Sequence, residues 1–375
     1  MAHSAPSSWN GETIAGITPR NGEPTSFKAC IRAAYRVDDR AAQYPARVKI
    51  ERFVDSHTEG EPTRALLAPD GGLFHLTLPE LIAHWSVDGA LVIPPECLAL
   101  AANPRAADAT VCALACRPSK AGASCGVLFW NASAPLGMCG HATIGLARTL
   151  RHIGFDLPMH ATIETRVGDV VVAALDDGRF AFDNVPSRLH ARDVEVVLAQ
   201  GGVARGDLAW GGNWFFIARH DGLSPGGRAG RGMRSHAEEL AYAESVLAGL
   251  RAANLRAGPE NGGLIDHVLL SFTPSRRGAS ARNFVLCPNG TFDRSPCGTG
   301  TSALLATLAA RGELAEGARW VQESAIGSVF EARYAACADG AVRPTIAGRA
   351  FIVAEGSLVF DAADPSREGG WRESR

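Results

Sequence analysis

Two cysteines in this chain each stand just ahead of a glycine and a helical run: Cys139 in "SAPLGMCGHATIGLART" and Cys297 in "DRSPCGTGTSALLATLAARG". Set in register, Cys139-Gly140 falls on Cys297-Gly298, Thr143 on Thr301, Leu146 on Leu304, Thr149-Leu150 on Thr307-Leu308 and Gly154 on Gly312. The pattern predicts one helix, with its start and its glycine stop, used twice. A helix start offers unpaired N–H groups and a partial positive charge, which bind carboxylates and favour a thiolate. A cysteine there can have its pKa lowered from about 8.5 into the range of roughly 3.5 to 7.5. Two facing helix starts would enclose a carboxylate-bearing molecule between two sulfurs, one taking a proton and the other giving one. That arrangement inverts a carbon next to a carboxylate by general acid–base catalysis, with no cofactor.

Other readings of these residues are weaker. A single cysteine is more often a small buried hydrophobe, but the pairing argues against that here. Cys112, Cys116, Cys125, Cys139 and His141 lie close in sequence without the paired spacings of a zinc site, so no metal is expected. The segment "CGTGTSA" lacks the Gly-Lys-Ser/Thr ending of a phosphate loop, so no nucleotide is expected either.

The elements that must position these helices are mostly strands. Strand-like runs occur at "VKIERFVDSH", "GALVIP", "ATVCALAC", "GVLFW", "GDVVVAAL", "NWFFIA", "DHVLLSF", "RNFVLC" and "AFIVAEGSLVF". Many short strands and few long helices predict an α+β architecture rather than a doubly wound parallel sheet. Gly60 and Pro62 break "HTEGEPTR" into a turn, with His57 read as a turn residue. Residues 1–46, rich in Ser, Pro, Gly and Ala, read as a poorly ordered extension, and 219–234 as a basic surface loop. Ser235 and Glu238 form a capping box ahead of the stripe Leu240, Ala243, Leu247 and Leu250, which predicts a surface helix.

Composition limits what such a protein binds. With 37 basic against 39 acidic side chains, the chain has no large net charge to draw it to nucleic acid or a membrane surface. No apolar run is long enough to span a bilayer and no secretion signal stands at the N-terminus, so the cytoplasm is the expected location. Nine cysteines, an odd number, suit a reducing compartment better than a disulfide framework.

The segments "MCGH" at 138–141, "DRSPCGTGTSA" at 293–303 and "DSHTEGEPTR" at 55–64 resemble the signatures of the proline racemase family, and most nearly its 4-hydroxyproline 2-epimerase branch. The likeness continues through "WGGNWFF", "IDHVLL", "RNFVLCP" and "QESAIGSVF", over about 48 to 360. It implies a diaminopimelate-epimerase-like fold of two similar lobes, each a curved sheet around a central helix, with the site in the cleft between them. The lobes would be 47–190 and 191–344, with a C-terminal strand at 345–362 returning to the first. The resemblance also makes Cys139 and Cys297 the catalytic pair, with Gly140, His141, Gly298 and Thr299 holding substrate at the helix starts. Asp293 would receive the ring ammonium, which needs a nearby anion once desolvated. His267 would line the ring pocket, where a neutral imidazole can hydrogen-bond a hydroxyl. The implied activity is cofactor-independent epimerisation of 4-hydroxyproline at its α-carbon, in a homodimer. Proline racemisation and 3-hydroxyproline dehydration are the related alternatives; the dehydratases typically carry Ser or Thr at one of the two cysteine positions. A binding protein that kept the fold and lost turnover is the alternative from another class.

Overall fold

A computed structural model describes residues 49–68, 70–219, 235–361 and 363–366. The 1–46 extension and 220–234 of the basic loop lie outside them.

The strands form one long hydrogen-bonded ladder that reads the same from either end. From one end it runs Ala350–Phe360, Lys49–Thr58, Glu61–Leu67, Val111–Arg117, Ala123–Trp130, His160–Thr165, Gly168–Ala174 and Phe180–Asp183. From the other it runs Arg188–Val197, Val203–Trp210, Trp214–Arg219, Ile265–Phe272, Ala281–Leu286, Trp320–Glu323, Val329–Ala336 and Val342–Gly348. In each half the successive pairings are antiparallel, antiparallel, parallel, antiparallel, parallel, antiparallel and antiparallel. The two halves join where Phe180–Asp183 pairs antiparallel with Val342–Gly348. This is the mixed, helix-poor α+β architecture expected from the sequence, and the duplication seen in the two cysteine helices extends through the whole ladder.

Each half curls around its own cysteine helix, Gly140–His152 in the first and Gly298–Ala310 in the second. A helix enclosed by sheet must be apolar on nearly every side. Accordingly Ile144, Leu146 and Leu150 are fully buried, as are Ala303, Leu304, Leu305 and Leu308. Most of the hydroxyls that this enclosure traps bond back to the chain, Thr143 to the Cys139 carbonyl, Thr301 to Pro296, Ser302 to Gly298 and Thr307 to Ala303, while that of Thr149 has no partner among the described residues. Both helices stop ahead of the matched glycines, with Gly154 at φ 81° and Gly312 at φ 71°. Only glycine reaches that left-handed region without a steric penalty.

The outer faces of the sheet are covered separately. Leu78–His84 and Pro95–Leu98 pack over the first half, and His236–Ala252 over the second. The last begins as predicted, with the Ser235 hydroxyl accepting from the Glu238 amide at 3.3 Å. We propose that the lobes divide near the expected positions 190 and 344, which fall inside strands Arg188–Val197 and Val342–Gly348; the strand after them, Ala350–Phe360, pairs with Lys49–Thr58.

The two cysteine helices meet at their first residues. A methyl group placed on Gly140 would lie 2.7 Å from the Gly298 Cα, and one on Gly298 would lie 2.8 Å from the Gly140 Cα. Phe182 closes the contact, 2.9 Å from the same position on Gly140. Because overpacking of a rigid contact costs about 1–3 kcal/mol, Gly140→Ala and Gly298→Ala are each expected to lower the thermal midpoint by several degrees. Unchanged midpoints for both variants in calorimetry would contradict this packing.

Candidate active site

One cavity lies at the meeting of the two helix starts. All eight residues singled out in the sequence line it: Cys139, Gly140, His141, His267, Asp293, Cys297, Gly298 and Thr299. His57 does not; its Nδ1 accepts from the Gly60 amide within the turn, at 3.2 Å.

The two cysteines occupy equivalent helix positions with different backbones. Cys139 caps its helix in an extended conformation, φ −140° and ψ 111°. Cys297 does so at φ 58° and ψ 100°, in the left-handed half of the map that a β-substituted residue rarely enters. Such strain persists only where the surroundings enforce it. Here Ser295 receives the Cys297 amide on its hydroxyl at 3.2 Å, and the Gly300 amide reaches the Cys297 sulfur at 3.4 Å. On the other side, the Cys139 sulfur lies 3.3 Å from His141 Nδ1 and interacts with the Ala142 and His141 amides. The His141 ring donates to the Pro62 carbonyl, and burial lowers its pKa, which favours the neutral imidazole.

At both thiols burial outweighs the helix starts. Burial pushes both Cys139 and Cys297 well above the ordinary thiol value. Asp293 adds to the rise at both sulfurs and Glu61 at Cys139, while the amides at Ala142, His141 and Gly300 pull the other way. Desolvation of a thiolate outweighs a few oriented N–H groups, and neighbouring carboxylates reinforce it. The cavity therefore holds two protonated thiols.

Asp293 is held by Ser295, whose amide and hydroxyl both donate to Oδ1, at 2.8 and 2.7 Å. His267 Nδ1 lies 2.6 Å from Asp266 Oδ1, and its ring rests on Phe215 at 4.7 Å between centroids. With the Nδ1 proton in that bond, Nε2 is the ring nitrogen left for another partner.

Polar residues that the sequence did not single out also line the cavity, among them Glu61, Asn131, Asn213, Cys287, Asn289 and Thr291. Glu61 and Asn213 occupy matching turns. Thr58-Glu59-Gly60-Glu61 and Trp210-Gly211-Gly212-Asn213 both lead from the second to the third strand of their half, with Gly60 at φ 100° and Gly212 at φ 105°. Each reaches into the opposite half, just upstream of the other cysteine. Asn213 Nδ2 donates to the Met138 carbonyl at 2.8 Å, and Glu61 Oε2 accepts from the Arg294 amide at 2.7 Å. Glu61 is 2% exposed, and burial together with Asp293 raises its pKa well above the usual carboxyl range. The glycines of both turns were the available signal; a turn carboxylate or amide otherwise reads as surface.

Chain order, the mirrored sheet and the cleft between paired helix starts are those of the diaminopimelate-epimerase-like fold. The chain belongs to the proline racemase family, whose sequence profile matches residues 53–371. It is 45% identical over 319 residues to a 4-hydroxyproline 2-epimerase of Xanthomonas campestris pv. campestris, covering 83% of this chain and 96% of that one. A probable proline racemase of Agrobacterium radiobacter K84, solved with bound carbonate, superposes with a TM-score of 0.71 at 26% identity, covering 85% of this chain and 96% of that one. A hydroxyproline epimerase of Agrobacterium vitis, solved with trans-4-hydroxy-L-proline, shares the fold with a TM-score of 0.73 at 24% identity, covering 88% and 96%. Among the described residues no helix is long and apolar enough to cross a membrane.

The thiol environment has a direct chemical consequence. The thiolate is the nucleophile, so alkylation of Cys139 and Cys297 by iodoacetamide is expected to quicken about tenfold per pH unit from pH 7 to 9, with no plateau. Peptide mass spectrometry reads each site separately. A plateau below pH 8 at either cysteine would show that the helix start prevails over burial.

Proposed function

We propose that the protein epimerises 4-hydroxyproline at the α-carbon, with Cys139 and Cys297 as the two acid/bases and no cofactor. The observation that carries this reading is the meeting of two matched helix starts, each with a buried cysteine lining one cavity. The kinship to 4-hydroxyproline 2-epimerases at 44–45% identity supports the substrate.

In this reading the substrate carboxylate sits on the backbone N–H groups of Gly140, His141, Gly298 and Thr299, where both helix dipoles favour negative charge. Those donors also stabilise the charge that spreads onto the carboxylate as the α-proton leaves. Asp293 takes the ring ammonium, and His267 Nε2 accepts from the ring hydroxyl. The positive ring nitrogen offsets the nearby carboxyls, so one sulfur releases its proton to solvent when substrate binds. One cysteine then enters as thiolate and the other as thiol, and the pair exchanges these states with each turnover. We place the enzyme in the cytoplasm as a homodimer; the free state of all eight cysteines among the described residues supports a reducing compartment.

The test is incubation with trans-4-hydroxy-L-proline, proline and 3-hydroxyproline, followed by chiral chromatography. The expected product is the C2 epimer of 4-hydroxyproline, formed faster than D-proline or any dehydration product. Cys139→Ser and Cys297→Ser should each lower turnover by orders of magnitude with the fold intact, since a hydroxyl is a far poorer acid/base partner near neutral pH. Faster conversion of proline, release of a dehydrated product, or near-normal turnover by either serine variant would overturn the reading.

A further inference from the structure

The described residues lining the cavity include two carboxyl groups, Glu61 and Asp293, and neither Lys nor Arg. Both are buried, at 2% and 4% exposure. Each is anchored through one oxygen. Glu61 Oε2 takes the Arg294 amide, and Asp293 Oδ1 takes both bonds from Ser295. Glu61 Oε1 receives no hydrogen bond from any described residue, and the Cys297 thiol interacts with the Asp293 carboxyl. Two neighbouring buried carboxyls, with an oxygen to spare, form a receptor for a cation that brings its own donors, and such a cation favours their charged forms.

The internal duplication isolates what the carboxyl adds. At the matching turn of the second half the residue is Asn213, which also bonds across the cleft but as a donor, from Nδ2 to the Met138 carbonyl, where Glu61 accepts. A neutral amide therefore suffices to tie one half to the cysteine loop of the other. The charge at position 61 is extra to that tie, and it stands on the side of the cavity where Asp293 lies.

We propose that Glu61 is a second substrate-binding carboxylate, so that the two N–H donors of a protonated secondary amine are shared between Glu61 Oε1 and Asp293. The inference rests on the reading of the substrate as a ring α-imino acid and deepens it. A secondary ammonium has two N–H bonds, and a receptor with one acceptor group on either side fixes the plane of the ring about its nitrogen. Fixing that plane holds the α-hydrogen toward a sulfur. The same pairing selects against ring acids whose heteroatom carries no proton.

The experiment compares two ligands by calorimetric titration, trans-4-hydroxy-L-proline and tetrahydrofuran-2-carboxylate, which keeps the ring and the carboxylate but has no N–H. Wild type is expected to prefer the amine strongly. Glu61→Gln keeps an acceptor for the Arg294 amide while removing the charge. It should weaken the amine by about 10- to 100-fold, the range of a charge-assisted hydrogen bond, and leave the ether within about twofold. KM for hydroxyproline should rise in parallel. Glu61→Asp, which keeps the charge, should retain preference for the amine and serves if the glutamine variant does not fold. Equal weakening of both ligands, or no weakening of the amine, would overturn the proposal and leave Glu61 as a structural tie. Failure of wild type to bind hydroxyproline at all would instead overturn the substrate reading, and this inference with it.

Discussion

The contact between Gly140 and Gly298 is the constraint on which the rest of the structure depends. Two helix starts approach so closely that a single methyl group on either glycine would enter the other backbone. Helix N-termini carry like partial charges and do not attract one another, so the approach must be imposed from outside. The mirrored ladder imposes it. Each half encloses one helix on the inner face of its sheet, and the pairing of Phe180–Asp183 with Val342–Gly348 brings the two halves together beside the helix starts. The cross-links from Asn213 to Met138 and from Glu61 to Arg294 then fix the loops that lead into Cys139 and Cys297.

The cavity so formed has a consistent electrostatic logic. Its floor is two sets of unpaired N–H groups, suited to a carboxylate. Its side holds two carboxyls, suited to an ammonium. An α-amino acid zwitterion carries both charges in the right pair. Without such a ligand, burial and the carboxyls keep both thiols protonated. The strained backbone of Cys297, held by Ser295 and Gly300, belongs to the same design, because it turns the sulfur back toward the start of its own helix. The duplication is therefore close in backbone and deliberately broken in side chain: Glu61 against Asn213, and extended Cys139 against left-handed Cys297.

Much of this was legible in the sequence because the cysteine helices have little freedom to drift. Glycine is required at 140 and 298, small residues along the enclosed faces, and glycine again at the stops, so the register of the repeat survives. The sheet repeat was not legible. His160–Thr165 and Trp320–Glu323 are short and their parallel partners lie far away in sequence, and Arg188–Val197 is mostly polar. The thiol environment was not legible, because a helix-start motif reveals oriented N–H groups but not the depth of burial. Glu61 and Cys287 were missed because a turn glutamate reads as solvated and a cysteine ending an apolar strand reads as core.

The central claim is that two sulfurs act on one carbon, each from its own side. The direct measurement is epimerisation of trans-4-hydroxy-L-proline in heavy water at early conversion, with the separated epimers analysed by mass spectrometry. If one cysteine removes the proton and the other delivers its own solvent-derived one, newly formed epimer carries deuterium at the α-carbon while recovered substrate stays largely protiated. Product that keeps the original hydrogen, or substrate labelled as fast as product, would contradict the two-cysteine account.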